Sequence, residues 1–147
     1  MVLRDYATEP IDLARVLEML AVHDIVEIDA GDTFAYDEEG NQTRSSRENR
    51  AADRLFGMLP PDSGAALRGL WEEFEECETP EARFANAIDR FQPFLQNVAT
   101  HGGTWRIYRP TREQVLHRMS PVRTILPALW PFVEETIEGF YAGLAED

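Results

Sequence analysis

The chain has 147 residues and a formal net charge of −13, with 27 acidic residues against 14 basic ones that are all arginine. This excess of acid argues against nucleic acid as a partner, since binding to a phosphate backbone needs a basic surface. A chain of this length and a hydrophobic share of 44% predict one domain over residues 1–147. No apolar run could span a membrane and no signal segment is present, and the single Cys77 fits a reducing compartment, so we expect a cytoplasmic protein.

The first predicted helix covers residues 13–30, with Asp12 as its N-cap. Its apolar side chains recur at helical spacing at Leu13, Val16, Leu17 and Leu20. The same face continues through Asp24 and Glu27, so two carboxylates fall where buried apolar side chains are expected. Buried carboxylates usually pair, become neutral or bind a cation. The alternative is that the helix ends near Val22 and that the acids line a solvated loop.

The rest of the chain predicts further helices and almost no strand-like alternation. Residues 32–46 are polar and contain a turn signal at 39–41, so we expect a long connection there. Helices are predicted over 46–58, from 62 or 63 to about 77, over 79–98 and over 111–118, with a proline-interrupted helical end from Ser120. The acidic run 72–78 is expected to be solvated. The fold class predicted is all-α, a single bundle of about six helices.

The stretch from His23 to Asp32 places a histidine and four carboxylates within ten residues. His23, Asp24 and Glu27 offer one nitrogen and two oxygen donors near one another. Mixed imidazole and carboxylate ligands suit Mn²⁺, Fe²⁺, Co²⁺, Ni²⁺ or Zn²⁺ better than Ca²⁺. A metal held there would acidify bound water and neutralise phosphate oxygens. No Ser-His-Asp pattern, phosphate-binding glycine loop or CxxC pair competes with this interpretation.

Two sequences, HDIVEIDAGD and AIDRFQPFLQN, resemble those of the HD-domain metal-dependent phosphohydrolases. The resemblance covers about residues 12–118 and is strongest to the small branch that includes bacterial 5'-deoxynucleotidases and their eukaryotic relatives. It implies an all-α HD domain. It also implies hydrolysis of phosphate monoesters, most simply nucleoside 5'-monophosphates, by attack of a metal-bound water.

The resemblance also implies roles for individual residues. His23, Asp24 and Asp89 match ligands of a divalent ion, which could be Mn, Co, Fe, Ni, Zn or Mg. Glu27 matches the residue that acts on the attacking water or the leaving group, and Asp32 matches a residue on the substrate side. Periodicity alone would instead make Asp89 a solvated helix charge or a partner for Arg90.

One departure from the family pattern affects these expectations. The family has an earlier histidine, and an arginine for the substrate phosphate, on a helix upstream of the His-Asp pair. None of the 22 residues before His23 is a histidine. We therefore expect an N-terminally shortened HD domain whose metal site lacks one protein ligand and whose activity is low. His101 and His117 are alternatives for the missing ligand, although each fits an ordinary polar or capping role better.

Two functions from different classes remain open. The first is a nucleotide phosphohydrolase, and the second is a non-catalytic HD-like module for binding or dimerisation. The partners expected are a small-molecule nucleotide or other phosphate monoester, no nucleic acid and no membrane. A homo-oligomer is expected because a missing helix leaves apolar surface on the helix over residues 13–20. The arginines at 106, 109, 112 and 118 have two interpretations. One is a phosphate-facing patch, and the other, which is favoured, is a set of ion pairs with surface acids.

Overall fold

The computed structural model describes residues 2–144 and places nine α-helices within them. The helices are α1 Leu13–Val22, α2 Glu27–Ala30, α3 Glu38–Phe56, α4 Pro61–Glu76, α5 Pro80–Ala99, α6 Gly103–Tyr108, α7 Arg112–Arg118, α8 Ser120–Ile125 and α9 Trp130–Leu144. Short 3₁₀ segments cover Val2–Tyr6, His23–Val26 and Pro127–Leu129. Within residues 2–144 there is no strand and no helix long and apolar enough to cross a bilayer. The predicted all-α fold is confirmed, and the pattern count of about six reflects short helices with too few turns to show periodicity.

Helix α5 lies at the centre of the bundle and packs against α1, α4, α6 and α8. It begins as predicted, because the Thr79 hydroxyl accepts the amide of Ala82 at 3.1 Å and Pro80 occupies the first turn. The buried Asn86 amide donates to the Phe74 carbonyl at 2.8 Å, which joins α5 to α4. The packing of α5 on α1 places Asp89 beside His23 at the end of α1.

The helix predicted over residues 13–30 is continuous only in its first half. Asp12 caps α1 as expected, since its carboxylate accepts the amide of Ala14 at 2.9 Å. After Val22 the backbone tightens into the 3₁₀ segment, and α2 is a single turn. Tighter winding rotates the later side chains, so Val26 is buried while Asp24 is exposed. The prediction that Asp24 continues the buried face is therefore wrong, and the helix ends where the alternative placed it.

The connection predicted over residues 32–46 is also too long. Helix α3 begins at Glu38, so residues 31–37 alone form the connection. The Asp37 carboxylate accepts the amide of Gly40 at 3.0 Å and caps the helix. The turn signal at 39–41 therefore lies in the first turn of α3, and Asp37 was the better indicator of structure.

The segment after α5 contains α6, although its glycine pair predicted only a break. Gly102 has a φ of 94°, and a Cβ there would lie 2.1 Å from the Phe140 ring, so no other residue fits. The Asn97 side-chain oxygen accepts the amide of Trp105 at 3.3 Å. This bond holds α6 on the end of α5 and fixes the buried indole of Trp105.

We expect the chain to form a homo-oligomer through the exposed side of α1, where Leu17 is 47% exposed. Leu17→Glu should convert the assembly into a monomer, because a buried unpaired carboxylate opposes association. Light scattering at micromolar concentration measures this change. Leu95→Glu is the control, since Leu95 is similarly exposed, at 41%, on α5. A wild-type chain with a mass of only 16.8 kDa would contradict the expectation.

Candidate active site

His23 is oriented by contacts on both sides of its ring. The ring packs against Phe74 of α4 with centroids 4.5 Å apart. Its Nδ1 lies 2.9 Å from the carbonyl oxygen of Leu20, so in the tautomer that fits this bond Nδ1–H donates to the carbonyl. The lone pair of Nε2 is then available to a ligand. The α1 backbone thus aims one nitrogen donor away from the core.

Two carboxylates meet that nitrogen. Nε2 lies 3.1 Å from Oδ1 of Asp24 and 3.3 Å from Oδ1 of Asp89. Donor atoms that each lie about 2.1 Å from one ion are separated by about 3.0 to 3.4 Å, so both spacings fit a shared ion. Within residues 2–144, no group of three or more His, Cys, Asp and Glu side chains is arranged so that it could hold a metal ion. The described chain therefore offers two donor pairs at suitable spacing, His23 with Asp24 and His23 with Asp89, but not a preformed three-ligand site.

The charges of this group depend on one another. Burial lowers the pKa of His23, but the hydrogen bond to Asp89 and the charges of both aspartates raise it above the ordinary value of 6.5. Burial raises the pKa of Asp89, whereas the hydrogen bond and charge of His23, with smaller effects of Arg118 and Arg90, lower it overall. A proton on His23 thus occupies the place of a cation between the two carboxylates.

Glu27, at the start of α2, is a half-buried acid near this group. Burial, as the largest cause, raises the pKa of Glu27 to about 7. The other contributions are the negative charges of Asp24, Asp32 and Glu48, which raise it, and the positive charge of Arg44, which lowers it. A carboxyl group with a pKa near neutrality can both accept and donate a proton at physiological pH.

A second set of charges beside Glu27 was missed by the sequence reasoning. Glu48 is only 4% exposed and accepts a hydrogen bond from Arg44 at 2.7 Å. Arg44 also lies 3.8 Å from Glu75 of α4, and burial raises the pKa of Glu75. The expectation that the whole acidic run 72–78 is solvated is wrong for Glu73, which is half-buried and accepts hydrogen bonds from Arg15 and the Thr79 hydroxyl. Glu75, in contrast, is exposed. Arg44 and Glu48 have the i,i+4 spacing of a helical ion pair, but the predicted loop over 32–46 concealed it.

A cleft lies next to Asp89 on the other side of α5. One part is a cavity of about 320 Å³ between the connection after α2 and helices α5, α6 and α7, and Asp32 lines it. A neighbouring pocket of about 330 Å³ shares Tyr36, Arg90 and Arg118 with it. We name the two together the α5–α7 cleft.

Aromatic side chains form much of the wall of the α5–α7 cleft. Phe34 lies with its ring centroid 4.4 Å from that of Tyr108 and 5.3 Å from that of Tyr36. Trp105 and Phe94 complete the apolar part of the lining. The connection that carries Phe34 is held to α3, because Arg47 donates to the Thr33 hydroxyl at 2.6 Å.

The structure separates the other predicted polar residues. His101 lines a different pocket, against α9, whereas His117 lies at the α5–α7 cleft beside Arg118. Arg112 pairs with Glu138, as the ion-pair interpretation of the arginine cluster predicts. Arg118 faces the cleft instead, as the phosphate-facing interpretation predicts. Arg90, which also lines the cleft, was not recognised as a site residue because it lies on a helix beside an acid.

Comparisons with known proteins agree with this architecture. Residues 1–130 match the family model described as HD domain. The crystal structure of a predicted metal-dependent phosphohydrolase from Magnetospirillum magnetotacticum MS-1 has a TM-score of 0.88 to this structure at 43% identity, over 96% of this chain and 70% of that one.

Curated relatives match a smaller part of the chain. The 5'-deoxynucleotidase HDDC2 of Bos taurus is 32% identical over 88 residues, which cover 60% of this chain and 43% of the relative. The Homo sapiens protein of the same name is 30% identical over 96 residues, covering 65% and 46%. The matches thus span less than half the length of these relatives. With the family match over residues 1–130 and the all-α bundle, they show that the chain belongs to the HD-domain family.

Proposed function

We propose that this chain is a metal-dependent phosphohydrolase that acts on phosphate monoesters, with nucleoside 5'-monophosphates as its substrates. The observation that carries the proposal is the position of His23 Nε2 between Asp24 and Asp89, at 3.1 and 3.3 Å, beside the α5–α7 cleft. Similarity to 5'-deoxynucleotidases and to a predicted metal-dependent phosphohydrolase supports it.

His23, Asp24 and Asp89 would hold a divalent ion chosen from Mn, Co, Fe, Ni, Zn and Mg. Such an ion supplies Lewis-acid chemistry that polarises phosphate oxygens and acidifies water at neutral pH. The Nδ1–H bond to the Leu20 carbonyl keeps His23 in the tautomer that binds a cation through Nε2. The lowered pKa of Asp89 keeps its carboxylate ionised and ready to act as a ligand.

Glu27 is the proposed acid–base group. It accepts a proton from water as the new oxygen–phosphorus bond forms, and it donates a proton to the leaving oxygen as the ester bond breaks. Its pKa of about 7 allows both transfers near neutral pH. Asp32 lines the cavity beyond it and is proposed to contact the substrate on that side.

The alternative is a non-catalytic HD-like module for binding or dimerisation. One observation favours it: among the described residues, no group of three or more His, Cys, Asp and Glu side chains is arranged so that it could hold a metal ion. The two functions differ in turnover, which phosphate release from nucleoside monophosphates measures.

His23→Ala should lower the affinity for Mn²⁺ or Co²⁺ by about 10-fold or more, because it removes the one nitrogen donor between the two carboxylates. Isothermal titration and elemental analysis measure metal affinity and content. His101→Ala is the matched control, since His101 lies at a different pocket. Equal metal content in wild type and His23→Ala would disprove this ligand assignment.

Phosphate release from deoxynucleoside and ribonucleoside 5'-monophosphates, with Mn²⁺, Co²⁺ or Mg²⁺ added, tests the activity. Glu27→Gln should lower kcat by about 10²–10⁴-fold while leaving metal content unchanged, because it removes a proton-transfer group and keeps the shape. Glu18→Gln on α1 is the control. Absence of turnover with every substrate and metal would favour the non-catalytic module.

Glu27 should also make the metal-free protein less stable at higher pH. Folding raises the pKa of Glu27 from 4.5 to about 7, so the folded state favours the protonated form. The loss of folding stability caused by ionised Glu27 is absent well below pH 4.5, grows as the pH rises, and is complete above about pH 7. Glu27→Gln should therefore unfold at a higher urea concentration than wild type at pH 8, and the difference should disappear at pH 4. A difference that is independent of pH would contradict this assignment.

A further inference from the structure

Two arginines in the α5–α7 cleft, Arg90 and Arg118, form no ion pair within 4.0 Å in the described part of the chain, although the charge of Asp89 lies close enough to interact with both. The recorded ion pairs use Arg15, Arg44, Arg54, Arg68, Arg83 and Arg112. Arg90 and Arg118 take part in none of these, although both are half-buried. Of the eight arginines outside these pairs, only Arg47, Arg90 and Arg118 are half-buried, and Arg47 donates to the Thr33 hydroxyl and to backbone carbonyls. Arg90 and Arg118 therefore require an explanation.

The two guanidinium groups face the same space. Both arginines line both parts of the α5–α7 cleft, one from α5 and one from the end of α7. Like charges brought together in a partly buried site repel each other, and an anion between them removes that cost. The acid Asp32 also lines the cavity between the connection after α2 and helices α5, α6 and α7, but its single charge does not balance both arginines. The cleft therefore carries net positive charge on an acidic protein.

The cleft is also adjacent to the proposed metal ligands. Arg90 follows Asp89 directly, and consecutive Cα atoms are about 3.8 Å apart. Successive helical side chains point about 100° apart, so Asp89 faces His23 while Arg90 faces the cleft. An anion held by Arg90 would lie beside His23 and Asp89.

The opposite wall suits a flat apolar group. Phe34 contacts Tyr36 and Tyr108 through their rings, and all three line the cavity. Phe34 and Tyr108 are 39% and 58% exposed, so their faces are open to a ligand. Aromatic side chains bind planar rings by stacking. A volume of about 320 Å³ is within the usual range for small-molecule pockets.

We propose that Arg90 and Arg118 jointly bind the phosphate group of the substrate and that the Phe34–Tyr36–Tyr108 wall holds its ring system. This inference rests on the proposed function and assigns the substrate-binding half of the same site. Two planar guanidinium groups offer paired donors to a phosphate dianion. Their two positive charges outweigh the repulsion from the single carboxylate that lines the cleft. The ligand class is a phosphate monoester joined to a planar base.

Binding to the metal-free chain, with a chelator present, tests the inference without turnover. Isothermal titration compares deoxyadenosine 5'-monophosphate, deoxyadenosine and inorganic phosphate. The monophosphate should bind more tightly than either part alone. Arg90→Gln and Arg118→Gln should each weaken binding of the monophosphate and of phosphate by about tenfold or more, and leave deoxyadenosine unchanged. Arg50→Gln is the control, because Arg50 is exposed and donates to a carbonyl of its own helix.

Further variants separate the two halves of the proposed site. Arg118→Lys keeps the charge and should restore part of the phosphate affinity, which guards against a loss caused by misfolding. Tyr108→Ala should weaken binding of deoxyadenosine and of the monophosphate but not of phosphate. Equal affinity of wild type and both Arg→Gln variants for the monophosphate would overturn the phosphate assignment. Equal affinity of wild type for phosphate and the monophosphate would overturn the assignment of the aromatic wall.

Failure of the proposed function is distinguishable from failure of this inference. A chain that releases no phosphate with any metal, but loses monophosphate affinity in Arg90→Gln and Arg118→Gln, supports the binding site without the activity. A chain that hydrolyses nucleotides with an unchanged KM in both variants overturns the inference and leaves the activity standing.

Discussion

The contact between His23 and Asp89 joins two parts of the chain that are 66 residues apart. His23 lies where α1 ends, and Asp89 lies at the middle of the central helix. The contact depends on buried packing between α1, α4 and α5, including the ring contact of His23 with Phe74. Without an ion, a proton shared with His23 offsets the charge of the aspartates. The proposed metal centre and the packing of the helices are therefore parts of one arrangement.

Helix α5 divides the site into two electrostatic regions. On one side, Glu27, Glu48 and Glu75 lie near the single charge of Arg44, and burial raises the pKa values of Glu27 and Glu75. On the other side, Arg90 and Arg118 leave the cleft positive. Hydrolysis of a phosphate ester needs both kinds of surroundings, namely a proton acceptor near the attacking water and cations near the phosphate oxygens. Strongly acidic composition is compatible with an anionic substrate because the cations are concentrated locally.

The sequence predicted the fold class and the start of α5 correctly because both depend on local signals, namely apolar periodicity and the Thr79-Pro80 cap. It did not predict the change of winding after Val22, which depends on the burial of Val26 in the core. Asp89 was identified by resemblance and not by periodicity, since its partner His23 lies on another helix. Arg44, Glu48, Glu75 and Arg90 were missed for the same reason. Their importance depends on which helices meet, and a single sequence does not contain that information in readable form.

The most direct test of the metal centre is a crystal structure of the chain soaked in Mn²⁺, with anomalous diffraction to locate the ion. We expect a peak at about 2.0–2.3 Å from Nε2 of His23 and from one carboxylate oxygen each of Asp24 and Asp89. A peak confined to surface acids away from His23, or no peak at millimolar Mn²⁺, would contradict the assignment of these three residues as the metal ligands.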